Sequence, residues 1–349
     1  MFALTVRPGI AHSARLQEVA EPSPESTALL VQTLAIGVCG TDREIIHGGY
    51  GSSPPGQDFL ILGHESLGSV LEAPAASGFA AGDLVVGIVR RPDPVPCPNC
   101  AVGEWDMCRN GLYTEHGIKQ VHGFGAERFR IAPHHVVKLP PSLRSVGVLL
   151  EPASVVAKAW EHIEKIGQRA AWHPRRVLVT GAGPIGLLAA MLGVQRGLEV
   201  HVLDQVTEGP KPALVRDLGA IYHHGSVQEA CARADIVVEC TGVGSLVFDV
   251  LRDTAPAGIV CLTGISSGGR SLQVDPTALN RSMVLENAVV FGTVNANRRH
   301  YEAAAAALAR ADHGWLERLI TRRVPCQCWQ EALARQPHDV KTVVDFTMH

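Results

Sequence analysis

An α/β protein built from two unlike parts is the fold class this sequence predicts. Three observations predict it. The first 150 residues hold short β-like runs broken by Gly and Pro. From Arg175 onward, nearly continuous apolar runs alternate with Ala- and Leu-rich helical stretches. A glycine-rich turn, Gly181-Ala-Gly183-Pro-Ile-Gly186, stands at the first junction between such a strand and such a helix. With 349 residues the chain is long enough for two hydrophobic cores.

In chain order, Met1–Ile10 reads as a first strand. Leu29–Ile36, Ser66–Leu71, Leu84–Val89 and Val136–Leu139 follow as short strands. Pro22-Ser-Pro24, Gly48-Gly49, Pro54-Pro55 and Pro92–Pro98 are the turn signals between them, so this half is β-rich with long loops. Pro152–Ile166 carries apolar Val155, Val156, Ala159, Ile163 and Ile166 at helical spacing and predicts a bridging helix. Val177–Val179, Val200–Leu203, Ile236–Glu239, Ile259–Leu262 and Val289–Phe291 are the strands expected of a doubly wound parallel sheet. Beyond Asn295 the pattern turns mixed, with a helix over Tyr301–Arg310 and a last strand over Thr342–Phe346.

Composition excludes some partners. Charged residues make up 19% and the formal net charge is -3, so no basic excess exists to neutralise nucleic-acid phosphates. No apolar run approaches the roughly 20 residues that span a bilayer, so no membrane partner is expected. The N-terminus lacks the pattern of a secretion signal, and the nine cysteines then read as reduced thiols of a cytoplasmic protein, some of them candidate metal ligands.

The turn at Gly181–Gly186 has a strand before it and a helix after it. Glycine at Gly181, Gly183 and Gly186 allows a tight turn, close approach of a pyrophosphate and close helix–strand packing. Pro184 and Ile185 then open a helix whose N–H groups face the phosphates. A second strand ends at Asp204, at about the ~20-residue separation expected for a carboxylate that takes ribose hydroxyls. Gln205 and Val206 follow, with no Arg for a 2′-phosphate. NAD is therefore preferred, and NADP stays open because Lys211 or Arg216 could serve a phosphate from farther along. Asp204 as a mere turn cap is the blander alternative. Thr241, Gly264 and Asn295 are further candidate cofactor contacts.

Cys39 in Gly37-Val-Cys-Gly-Thr-Asp42, the pair His64-Glu65 and Glu151 supply thiolate, imidazole and carboxylate, the usual zinc donors. Taken singly, a buried hydrophobe and a satisfied core histidine are the first readings of Cys39 and His64. Together with Gly181–Gly186, however, these motifs resemble the zinc-containing medium-chain dehydrogenases over the full length of the chain. Within that family the similarity is greatest to archaeal-type glucose dehydrogenases, through Gly37–Ile45, Leu60–Glu65, Val148–Pro152 and Gly292–Asn295.

The resemblance implies a GroES-like catalytic domain made of residues 1–155 and 295–349, around a Rossmann domain of residues 156–294. It implies a catalytic zinc on Cys39, His64 and Glu151, with Glu65 as alternate ligand or next neighbour. It also implies assembly as a homo-dimer or homo-tetramer. Many members hold a structural zinc on four cysteines. Here Cys97, Cys100 and Cys108 stand, Pro94 replaces the first, and Asp93 is a candidate oxygen ligand. A structural zinc and a lobe without metal are both open.

The chemistry implied is hydride transfer from the anomeric carbon of an aldose, glucose first, to NAD, giving an aldonolactone. Thr41 would accept the hydroxyl proton, with Glu44 or His47 as onward relay or as plain loop residues. Glu65, Glu115, Glu151 and Asn295 are the expected sugar contacts, Glu115 being equally readable as a solvated loop acid. Leu285 and Val155 stand where some members carry a sugar-contacting His and Asp. The alternative within the class is a polyol, secondary-alcohol or amino-alcohol dehydrogenase. Outside it stands a dinucleotide-binding protein without catalysis, against which Cys39, His64 and Glu151 argue.

Overall fold

The computed structural model describes residues 1–266 and 271–348. The chain divides into two compact units. One is Met1–Ser154 with Asn295–His349, and the other is Val155–Val294.

In the first unit, the strand Leu29–Gly37 is the axis of a seven-stranded sheet. Leu29, Val31 and Thr33 are buried while Gln32 is exposed, the alternation of a strand with one face on a core. It pairs antiparallel with Glu65–Glu72 along one side. Along the other side Arg128–Ile131 takes its first half and Lys341–Asp345 its second. The last strand of the chain is thus paired with one from near its beginning. Ile320–Pro325 lies parallel to that last strand, and Leu84–Gly87 and Val136–Leu139 extend the opposite edge. Val31, Val70, Val85, Phe124 and Phe129 form the core beneath. A small sheet sets Thr114–His116 between Arg90–Arg91 and Gln120–Val121, with Arg90 directly opposite Glu115.

The second unit is a six-stranded parallel sheet. Its spatial order is Ile221–His223, Glu199–Leu203, Arg176–Thr180, Ala234–Glu239, Thr254–Leu262 and Val289–Gly292. Counted in chain order within the unit this is 3-2-1-4-5-6, the doubly wound order whose direction reverses between Arg176–Thr180 and Ala234–Glu239. Val177, Leu178 and Val179 are wholly buried, as a strand covered on both faces requires. No helix of the described residues is long and apolar enough to cross a membrane.

The helix over Pro152–Ile166 extends over Leu150–Gly167, with Pro152 in its first turn, where a missing N–H costs nothing. Among the strands that escape the sequence pattern, two show why. Ile221–His223 has three residues, two of them Tyr and His, and Ile320–Pro325 carries Thr321, Arg322 and Arg323. Both lie at sheet edges, where burial does not impose an apolar alternation.

Phe124 is fully buried and its ring abuts Gly87, Phe129 and His116. Phe124→Ala should destabilise the first unit by about 3–5 kcal/mol, read as a lowered thermal midpoint, while truncating the exposed Val95 should shift it by no more than about 0.5 kcal/mol.

Candidate functional site

The long strand ends at Gly37, and Cys39 caps the helix Gly40–Ile46. Asp42 Oδ2 accepts the Cys39 N–H at 2.8 Å, which fixes the cysteine against the helix start. The other oxygen, Oδ1, stands 3.3 Å from His64 Nδ1. His64 follows Gly63, whose backbone is left-handed at φ 88°, and leads into the strand Glu65–Glu72. Cys39, His64 and Glu65 thereby offer three ligand atoms that all lie within 4.8 Å of one another. His64 and Glu65 are buried and Cys39 is partly so. A thiol, an imidazole faced by a carboxylate and a second carboxylate form a donor set that zinc takes.

Two constraints hold this group. Gly37 is the register partner of Glu65, and a Cβ there would meet Glu65 Oε2 at 2.0 Å. The absent side chain is what admits the carboxylate. The ammonium of Lys341, on the last strand, ion-pairs with Glu65 and donates to Val38 O at 3.1 Å. Lys341 is 2% exposed. Burial opposes the charged imidazole of His64, but the Asp42 carboxylate and Cys39 outweigh it and hold the pKa well above its usual value.

Glu151, in the first turn of its helix, is buried close by but is not part of the tight group. The group holds Glu65 where the resemblance puts Glu151 first. Glu65 adjoins His64 in the chain, whereas Glu151 arrives on a separate helix. Burial pushes the Glu151 carboxyl up to about 7, His64 pulling it down and Glu65 pushing it further up. Thr41 Oγ1 lies 3.9 Å from Cys39 Sγ. Glu44 and His47 are both exposed, and His47 Nδ1 is engaged 2.7 Å from Arg43 O, so the loop reading suits both.

Glu115 is buried, which removes the reading of a solvated loop acid. Its Oε1 takes Asn295 Nδ2 at 2.7 Å and Arg90 Nε at 3.0 Å. Asn295 adopts a left-handed φ of 63° to reach it. The two expected sugar contacts, 180 residues apart, are therefore bonded to each other.

Cys97, Cys100 and Cys108 form a second group, their sulfurs again within 4.8 Å of one another. Cys97 Sγ accepts N–H groups from Arg109 at 3.4 Å and Cys100 at 3.5 Å, which bring its pKa down to about 6. Burial pushes Cys100 up to about 11. Asp93 does not join them: its Oδ1 accepts the Val95 N–H at 2.8 Å, and its buried Oδ2 lies outside the group.

In the second unit, Gly181 turns with φ 88° after the strand Arg176–Thr180. A Cβ on Gly186 would meet Gly181 O at 1.8 Å, so this glycine serves helix–strand packing. A Cβ on Gly183 meets nothing within 4 Å, leaving backbone open to a ligand. Pro184 begins the helix Pro184–Val194 at a position that needs no N–H, and Ile185 is half-buried beside it. Asp204 accepts the Ala182 N–H at 2.7 Å, the Val206 N–H at 3.0 Å and Lys211 Nζ at 3.0 Å. Burial alone would raise its pKa, but these donors hold it below the usual value. Lys211 is buried against Asp204, and Arg216 is exposed. Thr241 and Gly264 flank Glu239, a fully buried carboxylate that accepts the N–H groups of Thr241 at 2.7 Å and Gly242 at 3.1 Å. Leu285 is 65% exposed on the helix Pro276–Glu286, and Val155 is half-buried.

Asp42, Lys341, Arg90 and Glu239 are the organising residues that sequence reasoning passed over. Asp42 stood inside the GVCGTD run, and Glu239 ended an apolar strand. Arg90 and Lys341 gave no local signal, because their partners lie far off in the chain. If Gly37 is a glycine for the sake of Glu65, Gly37→Ala should lose bound zinc in elemental analysis of the purified protein. Dinucleotide binding, titrated by fluorescence, should remain.

Comparison with known proteins agrees with this geometry. The family described as Alcohol dehydrogenase GroES-like domain matches residues 25–141, and Glucose dehydrogenase C-terminus matches residues 144–346. The glucose 1-dehydrogenase of Methanocella arvoryzae is 40% identical, with 99% of each chain covered. That of Thermoproteus tenax is likewise 40% identical with 99% of each covered. The glucose dehydrogenase of Haloferax mediterranei, solved in complex with NADP, Zn and gluconolactone, superposes with a TM-score of 0.92 at 32% identity and covers 100% of both chains. On these matches the chain belongs to the zinc-containing, NAD(P)-dependent medium-chain dehydrogenases, among the relatives named glucose 1-dehydrogenase.

Proposed function

We propose that the protein oxidises an aldose, glucose first, at its anomeric carbon, releasing the aldonolactone and passing hydride to a nicotinamide dinucleotide. The observation that carries this is one unit holding both a zinc-type donor group, Cys39–His64–Glu65, and a buried carboxylate–amide pair, Glu115–Asn295, suited to sugar hydroxyls. When bound, zinc supplies Lewis acidity to the reacting hydroxyl and the dinucleotide accepts the hydride.

The side chains do the rest. Cys39 and His64 hold the metal, with Glu65 or Glu151 as the carboxylate ligand, and Asp42 orients the imidazole. Thr41 takes the proton of the reacting hydroxyl, as its place two residues past Cys39 suggests. Glu115 and Asn295 fix the sugar through hydroxyl hydrogen bonds. The lobe thiols Cys97, Cys100 and Cys108 would be the seat of a second, structural zinc, whose binding would displace the proton that burial keeps on Cys100.

For the cofactor, Asp204 supports NAD, since a carboxylate at that strand end can accept ribose hydroxyls. Lys211 tempers this preference, because its ammonium pairs with Asp204 and offsets the charge that would repel a 2′-phosphate.

Initial rates on aldoses, polyols and simple alcohols, with NAD and with NADP, test the reading. Turnover of glucose or a close aldose is expected, and turnover confined to polyols or alcohols would keep the metal chemistry and sink the sugar assignment. Cys39→Ser and His64→Ala should each abolish turnover and spare dinucleotide binding. Loss of folding instead would make these residues structural.

Cofactor choice should follow the charges. Asp204→Ala with Val206→Arg should raise NADP use relative to NAD by about tenfold or more, and Lys211→Met should lower it. Unchanged ratios would refute the role given to that strand end.

A further inference from the structure

Arg90 has no assigned role, yet it is buried at 5% exposure and every polar edge of its guanidinium is used. Nε and Nη2 both lie 3.0 Å from Glu115 Oε1. Nη1 donates to the carbonyl of Asp106 at 3.0 Å. The guanidinium carbon sits 3.7 Å over the Tyr113 ring, a cation–π stack that fixes its plane. Asp106 is itself anchored, its Oδ1 accepting Asn297 Nδ2 at 2.8 Å.

The consequence lies in the two oxygens of Glu115. Oε1 is saturated by Arg90 and Asn295. Oε2 takes no donor from the described residues and is not among the fully buried unpartnered atoms. Arg90 therefore divides the carboxylate into a held oxygen and an open acceptor. A buried carboxylate without that cation would bear an uncompensated charge, and its open oxygen would not be set in one direction. Lysine could supply the charge but not the planar fork that grips Oε1 and the Asp106 carbonyl together.

We propose that Arg90 is a positioning residue for sugar binding: it aims Glu115 Oε2 at a substrate hydroxyl and ties that aim to the segment carrying Asp106. The proposal rests on Glu115 being a sugar contact.

The test is steady-state kinetics on glucose for zinc-loaded Arg90→Met, Arg90→Lys, Glu115→Gln and the double variant Arg90→Met/Glu115→Gln, with dinucleotide affinity read separately by fluorescence titration. Arg90→Met should raise the KM for sugar about tenfold while kcat stays within about threefold and dinucleotide Kd is unchanged. Arg90→Lys should recover part of the loss. The double variant should be no worse than Glu115→Gln alone, because both act through one contact. An unchanged KM in Arg90→Met beside a raised KM in Glu115→Gln overturns the positioning role alone, as do additive losses in the double variant. An unchanged KM in Glu115→Gln removes the sugar contact itself and this proposal with it. Should Arg90→Met not fold, Arg90→Lys decides, since a KM equal to that of the parent overturns the proposal.

Discussion

The ion pair between Lys341 and Glu65 is the interaction on which the first unit's site depends. Taking a lysine and a glutamate out of water costs several kcal/mol for each ion, and only their mutual contact with full hydrogen bonding offsets it. Lys341 finds Glu65 and the Val38 carbonyl together. For this, the last strand must lie against Leu29–Gly37, with Val343 in register with Gly37, and Gly37 must carry no side chain. The return of the chain's end to the strand Leu29–Gly37 is therefore part of the chemistry and not only of the packing. Without that return, Glu65 would be a buried carboxylate with no lysine beside the thiol and the imidazole.

The charges around the group are arranged in the same sense. Asp42, Glu65 and Glu151 converge there, and His64 and Lys341 are the cations that act on them. Burial first, and the neighbouring Glu65 and Asp42 after it, keep the Glu151 carboxyl up near 7 against the pull of His64 and Lys341. A divalent cation in such a place inverts the local preference, drawing the carboxyl into its ionised form. Asp42 meanwhile accepts the Cys39 N–H through one oxygen and faces the His64 ring at 3.3 Å with the other, so that one carboxylate lies against both cysteine and histidine.

Legibility from sequence followed the range of the interaction. The turn Gly181–Gly186, the parallel strands around it and the short run around Cys39 were readable, since each is defined by neighbours along the chain. The three-residue edge strand Ile221–His223 was not, because a strand with one neighbour is too little covered for burial to impose a pattern. Arg90 and Lys341 were invisible for another reason. Arg90 stands in a two-residue Arg–Arg strand and Lys341 opens an apolar one, and only the partner, 25 residues away for Arg90 and hundreds away for Lys341, gives each its meaning. Glu115 was legible as a candidate but ambiguous, and burial beside Arg90 is what separates an aimed carboxylate from a solvated one.

The same lesson bears on the nucleotide end of the second unit. A carboxylate at the end of the second strand is read as a device that welcomes ribose hydroxyls and repels a 2′-phosphate. That reading presumes a carboxylate free to act. Asp204 already accepts from Ala182 in the glycine-rich turn, from Val206 beside it and from Lys211 on the helix that follows. Its Oδ1 carries only the Val206 N–H and keeps room for a ribose hydroxyl, while Oδ2 is shared by Ala182 and the cationic Lys211. The repulsion and its remedy are thus built into one contact. Under the reading proposed above, cofactor choice turns on how the strand-end carboxylate is balanced seven residues later, not on its identity alone.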